Sequence, residues 1–246
     1  MGGRVALVTG GGGGIGGAIC RSLAAGGVKV AVADVVVEGA DAVAGEIGGH
    51  AIRMDVTSTD SIAGAIADTE SALGPIEILV NCAGWDEFKP FVEVDEAFIT
   101  KVLDINLAGP MRLTRAVLPG MLERGWGRVI NIASDAGRVG SSLEGVYSGA
   151  KGGLIAFSKT IARESARAGV TVNSVCPGPT DTPLLAGLTE SGEMGAKISK
   201  ALVRAVPMGR IGVPEDVGPI VAFLSSEGAG FITGQTISVS GGLTMA

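Results

Sequence analysis

An apolar run, Val5-Ala6-Leu7-Val8-Thr9, breaks without a linker into Gly10-Gly11-Gly12-Gly13-Gly14-Ile15-Gly16, and a helical pattern takes over across residues 15–25. Few folds accept that junction. Residues without a side chain let the backbone turn tightly and approach a pyrophosphate, which then rests on the free N–H groups and positive dipole end of the following helix. The loop's candidate cofactor contacts are Thr9, Gly10, Gly12, Gly13, Gly14 and Ile15. A glycine run alone is weak evidence, because glycine-rich turns are common. Its place between a strand and a helix gives it weight.

The same alternation continues along the chain. Strand-length apolar runs recur at residues 5–9, 28–33, 51–54, 76–80, 129–133, 170–175 and 236–239, each bounded by Gly, Asp, Asn or Pro. Most are apolar on both faces, the pattern of parallel strands covered on each side, and helical periodicity fills residues 15–25, 58–73, 96–123 and 147–168. These runs predict a Rossmann-like, doubly wound parallel sheet of seven strands with helices on both faces, in a single domain. Residues 1–84 form mainly the cofactor half. Residues 177–214, rich in Gly, Thr and Ser, read as a substrate lid with one short helix at 196–205. Ser58 ahead of Ser61, and Thr57 ahead of Asp60, offer N-cap chemistry to the third helix, and Gly74-Pro75 stops it.

Composition narrows the function class. The 246 residues carry 19 basic and 25 acidic side chains, a net charge of −6, without the basic cluster that a phosphate backbone requires. Nucleic acid is therefore an unexpected partner. No stretch has the apolar length of a membrane span and the start lacks a signal-peptide pattern, so a cytoplasmic protein is expected. Cys20, Cys82 and Cys176 are scattered, without the close pairing of a zinc site, and read as reduced core residues; no metal is expected. His50, the one histidine, reads as a loop or strand-edge residue.

Asp34 closes the second strand, eighteen positions after Gly16. A carboxylate there accepts hydrogen bonds from a ribose diol and repels a 2′-phosphate, and neither Gly13 nor Val35 supplies a cation, so NAD is the expected cofactor. Asp55 and Val56 follow the third strand and Asn81, Ala83 and Gly84 the fourth, at the sheet edge where such ligands bind. Ser134 closes the fifth strand. Thirteen residues later Tyr147 and Lys151, four apart, share one helical face. A phenol is a poor base near neutrality, and an adjacent ammonium lowers its pKa. Tyr147 would then exchange the hydroxyl proton during hydride transfer, tuned by Lys151, with Ser134 holding the same oxygen.

The pattern Thr9-Gly10-x-x-x-Gly14-x-Gly16, Asn81-x-Ala83-Gly84, Ser134 and Tyr147-x-x-x-Lys151 resembles the short-chain dehydrogenase/reductase family over essentially the whole chain. The resemblance implies further roles. Asn106 matches a fourth catalytic residue that positions a water, while Pro177, Gly178, Thr180 and Thr182 match the stretch that holds the nicotinamide carboxamide. It also implies a homotetramer built through the two long helices. Cys82 departs from the family's frequent second asparagine.

Residues 10–20, 81–86, 88–91, 131–142, 176–182 and 231–245 are most similar to members that oxidise alicyclic hydroxyacyl-CoA thioesters, which implies a 2-hydroxycyclohexanecarboxyl-CoA-like substrate. Trp85, Val139, Leu143, Leu184 and Leu185 would wall a ring, and Arg138, Lys197, Lys200 and Arg204 would face CoA phosphates. A 3-oxoacyl-ACP or 3-oxoacyl-CoA reductase, or a small cyclic or secondary alcohol dehydrogenase, shares every catalytic residue. A non-catalytic dinucleotide sensor would leave Ser134, Tyr147 and Lys151 idle, and a structural protein would leave the glycine loop idle.

Overall fold

The computed structural model describes residues 1–189 and 200–245. Its strands are β1 (Val5–Thr9), β2 (Lys29–Asp34), β3 (His50–Arg53), β4 (Ile76–Asn81), β5 (Gly127–Ile132), β6 (Val170–Pro177) and β7 (Thr236–Val239). Runs apolar on both faces have no side to offer solvent, and all seven pair in parallel in the order β3-β2-β1-β4-β5-β6-β7. The chain moves outward from β1 to β3, then returns to lay β4 on the other side of β1. That reversal between β1 and β4 is the switch point at whose carboxyl edge ligands of open parallel sheets bind.

The helices are α1 (Gly14–Ala25), α2 (Val37–Ile47), α3 (Thr59–Leu73), α4 (Glu96–Leu103), α5 (Gly109–Arg124), α6 (Ala136–Val139), α7 (Gly145–Ser165), α8 (Pro183–Thr189) and α9 (Pro214–Leu224). One core unites Ile19 and Leu23 of α1, Val43 of α2 and Val221 of α9 with Val8, Val32 and Val80 of the sheet. The other unites Ile62 of α3, Leu113 and Met121 of α5 and Ala162 of α7 with Leu7, Leu79 and Val129. Alternate residues of each strand thus feed opposite layers. Among the described residues no helix is long and apolar enough to cross a membrane.

Several elements differ from the sequence expectation. The helix read over residues 96–123 is broken into α4 and α5 by a π turn, Asp104–Ala108. α2 and α9 were not foreseen. The β-branched run Val35-Val36-Val37 hides the start of α2, and Pro214 with Pro219 breaks the helical reading of α9. Pro214 stands in the first turn of α9, where its missing N–H costs nothing, and Asp216 caps that turn by accepting from Val213 N at 2.8 Å. Within the expected helix at 196–205, residues 200–205 are helical and 196–199 lie outside the described residues. Ser58 caps α3 as expected, accepting from Ser61 N at 3.3 Å, whereas Thr57 turns back to Asp55.

Candidate active site

The glycine loop is built on its neighbours. Thr9 Oγ1 accepts hydrogen bonds from Cys82 N and Ala83 N, each at 3.0 Å, so this buried residue fastens the loop after β4 and presents no surface to a ligand. Gly10 turns at φ +64°, and a Cβ there would lie 2.9 Å from Ala83 Cα. At Gly16 a Cβ would lie 2.0 Å from Gly10 O, so a side chain would prevent α1 from starting this close beneath the loop. Ile15 packs partly into the first core. Nothing would lie within 4 Å of a Cβ on Gly13, while a Cβ on Gly14 would lie 3.5 Å from Thr182 Cγ2. The result is an open backbone cradle at the N-terminus of a twelve-residue helix, which fits a dinucleotide pyrophosphate.

Asp34 stands beside that cradle. Its Oδ2 accepts from Gly12 N and its Oδ1 from Val36 N, both at 3.0 Å. The carboxylate is thereby fixed where a ribose diol would meet it. Asp55 is exposed and accepts from Thr57 Oγ1 at 2.7 Å and Thr57 N at 2.8 Å, contacts that hold its carboxyl below the usual range. The Val56 side chain is buried in the second core, which leaves its backbone as the part that could meet a ligand.

The Asn81 side-chain amide nitrogen is committed inside the fold. Its Nδ2 donates to Asn131 Oδ1 at 2.7 Å and Thr114 Oγ1 at 3.4 Å, and Asn131 donates on to Ser158 Oγ at 2.7 Å. This buried polar chain joins β4 and β5 to α5 and α7, because a polar side chain inside the layer must find partners there. Ala83 and Gly84 continue into the loop beside the crevice, Gly84 exposed. From Pro177 at the end of β6 the chain runs over the crevice toward the glycine loop. Thr180 donates to Gly178 O at 2.9 Å, and Thr182 accepts from Leu185 N at 3.2 Å while packing against Gly14.

Ser134, Tyr147 and Lys151 converge at the carboxyl edge of β5. Tyr147 lies in the first turn of α7 and Lys151 one turn later. Buried Lys151 donates from Nζ to Ile132 O at 2.9 Å, 5.5 Å from the centre of the Tyr147 ring. Burial lowers its ammonium to about 8, against the opposing pull of Cys82, Cys176 and Asp86. Tyr147 shifts opposite to the sequence expectation. Burial first, then the charges of Glu144 and Asp86, hold the phenol well above its ordinary value, and the hydrogen bond from Ser134 is what favours the phenolate.

Asn106 occupies the π turn. Its Nδ2 donates to Trp85 O at 2.7 Å and Val102 O at 3.0 Å, and its Oδ1 accepts from Trp85 N at 3.3 Å. Both amide hydrogens are committed to carbonyls, so the side chain pins the loop at Trp85. A Cβ on Gly84 would lie 3.0 Å from Asn106 Oδ1 and 3.7 Å from Lys151 Nζ, which puts the three residues around one point. Pro110, lacking an N–H, was the sequence signal for this interruption of the helix.

Two further groups were not among the expected site residues. Asp86 is 5% exposed, and no donor reaches either carboxylate oxygen in good hydrogen-bond geometry. Burial first, then the facing Glu144, pushes its carboxyl up to about 7, which the Glu87 N–H only partly offsets. Glu144 is the residue from which α7 springs. Both acids flank motifs, two residues past Gly84 and three before Tyr147, and that adjacency could have found them.

The expected substrate wall is only partly assembled. Val139, Leu143 and Leu184 stand exposed on α6, before α7 and on α8, and Leu185 follows on α8. Trp85 instead packs on α4, edge-to-face with Phe98 at 5.6 Å and under the Lys101 ammonium at 3.4 Å. Arg138 donates from Nη1 to Ser238 Oγ at 2.6 Å, so its guanidinium is engaged on β7 rather than held for a phosphate. Lys200 and Arg204 are exposed, and Lys197 lies outside the described residues.

Comparison with known proteins gives consistent matches. A family model described as enoyl-(acyl carrier protein) reductase matches residues 10–244. An acetoacetyl-CoA reductase of Shinella zoogloeoides is 40% identical across 97% of this chain and 98% of its own. The 3-oxoacyl-acyl-carrier-protein reductase FabG of Escherichia coli is 36% identical across 99% and 98%. Among solved structures, an actinorhodin polyketide ketoreductase variant with NADPH superposes with a TM-score of 0.93 at 36% identity, covering 98% of this chain and 97% of that one.

Proposed function

The chain belongs to the short-chain dehydrogenase/reductase family, and from that premise we propose that it is a ketoreductase of acyl thioesters. Its substrate is a 3-oxoacyl chain on CoA or acyl carrier protein, and its cofactor is NAD(H). The observation that carries this reading is a phenol kept protonated beside Ser134 and Lys151 at the edge of a dinucleotide crevice. Ketone reduction needs an acid at that place, and a buried phenol near two carboxyls is one. The names of the relatives favour the 3-oxoacyl thioester over the ring-bearing 2-hydroxyacyl-CoA.

The bound nicotinamide supplies the hydride. Gly10, Gly12, Gly13, Gly14 and Ile15 would offer backbone to its pyrophosphate and Asp34 would accept from its ribose diol, with Asp55, the 83–84 turn and residues 177–182 around it. Ser134 holds the ketone oxygen by donating a hydrogen bond. Tyr147 O–H would give its proton to the developing alkoxide, and the Lys151 ammonium, 5.5 Å from the ring centre, would favour the resulting phenolate. Asn106 keeps the Trp85 loop in place around Gly84 and Lys151. The described residues 177–189 and 200–214 would act as the substrate lid, and the chain would work in the cytoplasm as a homotetramer.

Asp34 supports NAD(H) against the NADPH of the solved ketoreductase, because a carboxylate facing a 2′-phosphate is repulsive. Steady-state oxidation of NADH and NADPH with acetoacetyl-CoA tests both parts. NADH is expected to be preferred by about 100-fold in kcat/KM. A preference for NADPH would refute the cofactor assignment, and turnover restricted to simple secondary alcohols or their ketones would refute the thioester.

A further inference from the structure

Ser134 leaves β5 and turns at once into α6, a helix of four residues. Its Oγ accepts from Ala136 N at 3.1 Å and its carbonyl accepts from Gly137 N at 3.0 Å, so the first turn of α6 fixes where the Ser134 hydroxyl stands. The oxygen is used as an acceptor there, and the hydroxyl proton is left to be donated. A helix this short does not hold its own place. Against α7 it packs backbone to backbone: a Cβ on Gly137 would lie 2.6 Å from Lys151 C, and one on Gly152 would lie 3.1 Å from Gly137 O. Asp135 and Arg138, three apart, reach β7 instead and end on one hydroxyl. Ser238 Oγ donates to Asp135 Oδ1 and accepts from Arg138 Nη1 at 2.6 Å, and Ser238 is itself paired to Cys176 of β6 within the sheet. Asp135 is 4% exposed and its Oδ2 has no partner, so among the described residues the Ser238 hydroxyl is what satisfies this buried carboxyl.

We infer that Ser238 is a positioning residue for ketone reduction: its hydroxyl ties α6 to β7 through Asp135 and Arg138, and α6 sets where the Ser134 hydroxyl meets the ketone oxygen. The inference rests on the reduction proposed above and on Ser134 holding that oxygen, and not on which carrier bears the acyl chain. Hydrogen bonds with one ionised partner are the strong ones, and both bonds of this hydroxyl are of that kind, to a carboxyl on one side and a guanidinium on the other. Without it Asp135 keeps its backbone bond to Pro177 O at 3.2 Å, but the side-chain hold on α6 is lost. A displacement of about 1 Å in a group that holds the reacting oxygen can slow the chemical step about 100-fold.

The test compares Ser238→Ala and Ser238→Thr with wild type, as full chains, in the reduction of ethyl acetoacetate and acetoacetyl-CoA with NADH or NADPH, whichever turns over faster. Ser238→Ala is expected to lose about tenfold in kcat, with KM and the cofactor dissociation constant from fluorescence titration within about twofold of wild type. Ser238→Thr restores the hydroxyl and should recover most of that loss. In a Ser134→Ala background the further change to Ser238→Ala should cost less than about twofold, because the group it positions is gone. A role confined to stability would cost the same in both backgrounds. That result, or wild-type kcat in Ser238→Ala, overturns the inference. Arg138→Met leaves the Asp135 bond in place and decides the matter where Ser238→Ala does not fold: an equal loss of about fivefold in kcat with both ketones supports the inference. A raised KM for acetoacetyl-CoA alone overturns it by giving Arg138 to a phosphate. The expected pattern with the ester, without turnover of acetoacetyl-CoA, supports the inference and refutes the thioester reading. Absence of turnover with either ketone overturns both.

Discussion

The two ends of the parallel sheet treat charge in opposite ways. At the amino end, Arg4 pairs with Glu77 at 2.6 Å and Glu227 at 2.5 Å, and Trp126 lies between the guanidiniums of Arg4 and Arg128, at 3.4 and 4.3 Å from its ring centre. Arg128, 2% exposed, donates to Gly127 O, Gly169 O and Ser226 O, and Arg124 donates to Ile76 O at 2.6 Å. Each of those cations meets acceptors, carboxylates for Arg4 and backbone carbonyls for Arg124 and Arg128. At the carboxyl end, neither Asp86 oxygen has a well-formed hydrogen bond, Lys151 is lowered and Tyr147 raised. The same sheet therefore keeps its satisfied charges where chains enter and its unsatisfied ones where a ligand would complete them. The difference teaches that stability and reactivity are divided by the direction of the strands.

Removing the reactive groups should cut activity while leaving or improving stability. The largest effect is expected from Tyr147→Phe, which deletes the acid alone: turnover should fall about 1000-fold while NADH still binds in a fluorescence titration. Loss of NADH binding together with turnover would show that Tyr147 holds the cofactor rather than the proton. Lys151→Met should lower turnover by about 100-fold and yet raise the melting temperature near pH 7. The sign follows from linkage. The unfolded lysine keeps its proton up to its ordinary 10.5 while the folded one releases it near 8, so wild-type stability rises with pH between those values. The advantage of the methionine should accordingly be greatest below pH 8 and shrink above it, as melting curves across that range would register.

At the amino end the same kind of substitution should do the reverse. Arg128→Met would leave three carbonyls without their donor and Trp126 without one of its cations, a loss of about 3 kcal/mol. Melting should drop by roughly 6–10 °C with turnover of the folded protein unchanged. A stability-neutral Arg128→Met would erase the contrast between the two ends.

That contrast is only half legible in the sequence. The strands are, because a run apolar on both faces admits one kind of sheet, and all seven occur where such runs lie. Ser134, Tyr147, Lys151 and the glycine loop are legible because their spacing alone brings them together once the sheet is parallel. The roles of Thr9, Asn81 and Arg138 are not, since each depends on which way a side chain turns: Thr9 to Cys82, Asn81 to Asn131, Arg138 to Ser238. The π turn at Asn106 escapes helical periodicity because one extra residue per turn hardly disturbs it. The direction of the Tyr147 shift escapes most completely. It comes first from burial and then from Glu144 and Asp86, which belong to separate segments and meet only in the fold.

The smallest expected effect isolates that meeting. In the folded chain Asp86 takes up its proton near 7, whereas the unfolded chain does so near 3.8. The folded state thus binds more protons between these values, and wild-type stability falls as pH rises through that window. Asn carries no such proton. The melting temperature of Asp86→Asn should therefore match or trail wild type near pH 4, overtake it as pH rises, and lead by a few degrees above pH 7, where the difference levels off. A parallel pair of curves would mean that Asp86 is neutralised by a partner after all, and the carboxyl end would then resemble the amino end in having its charges satisfied.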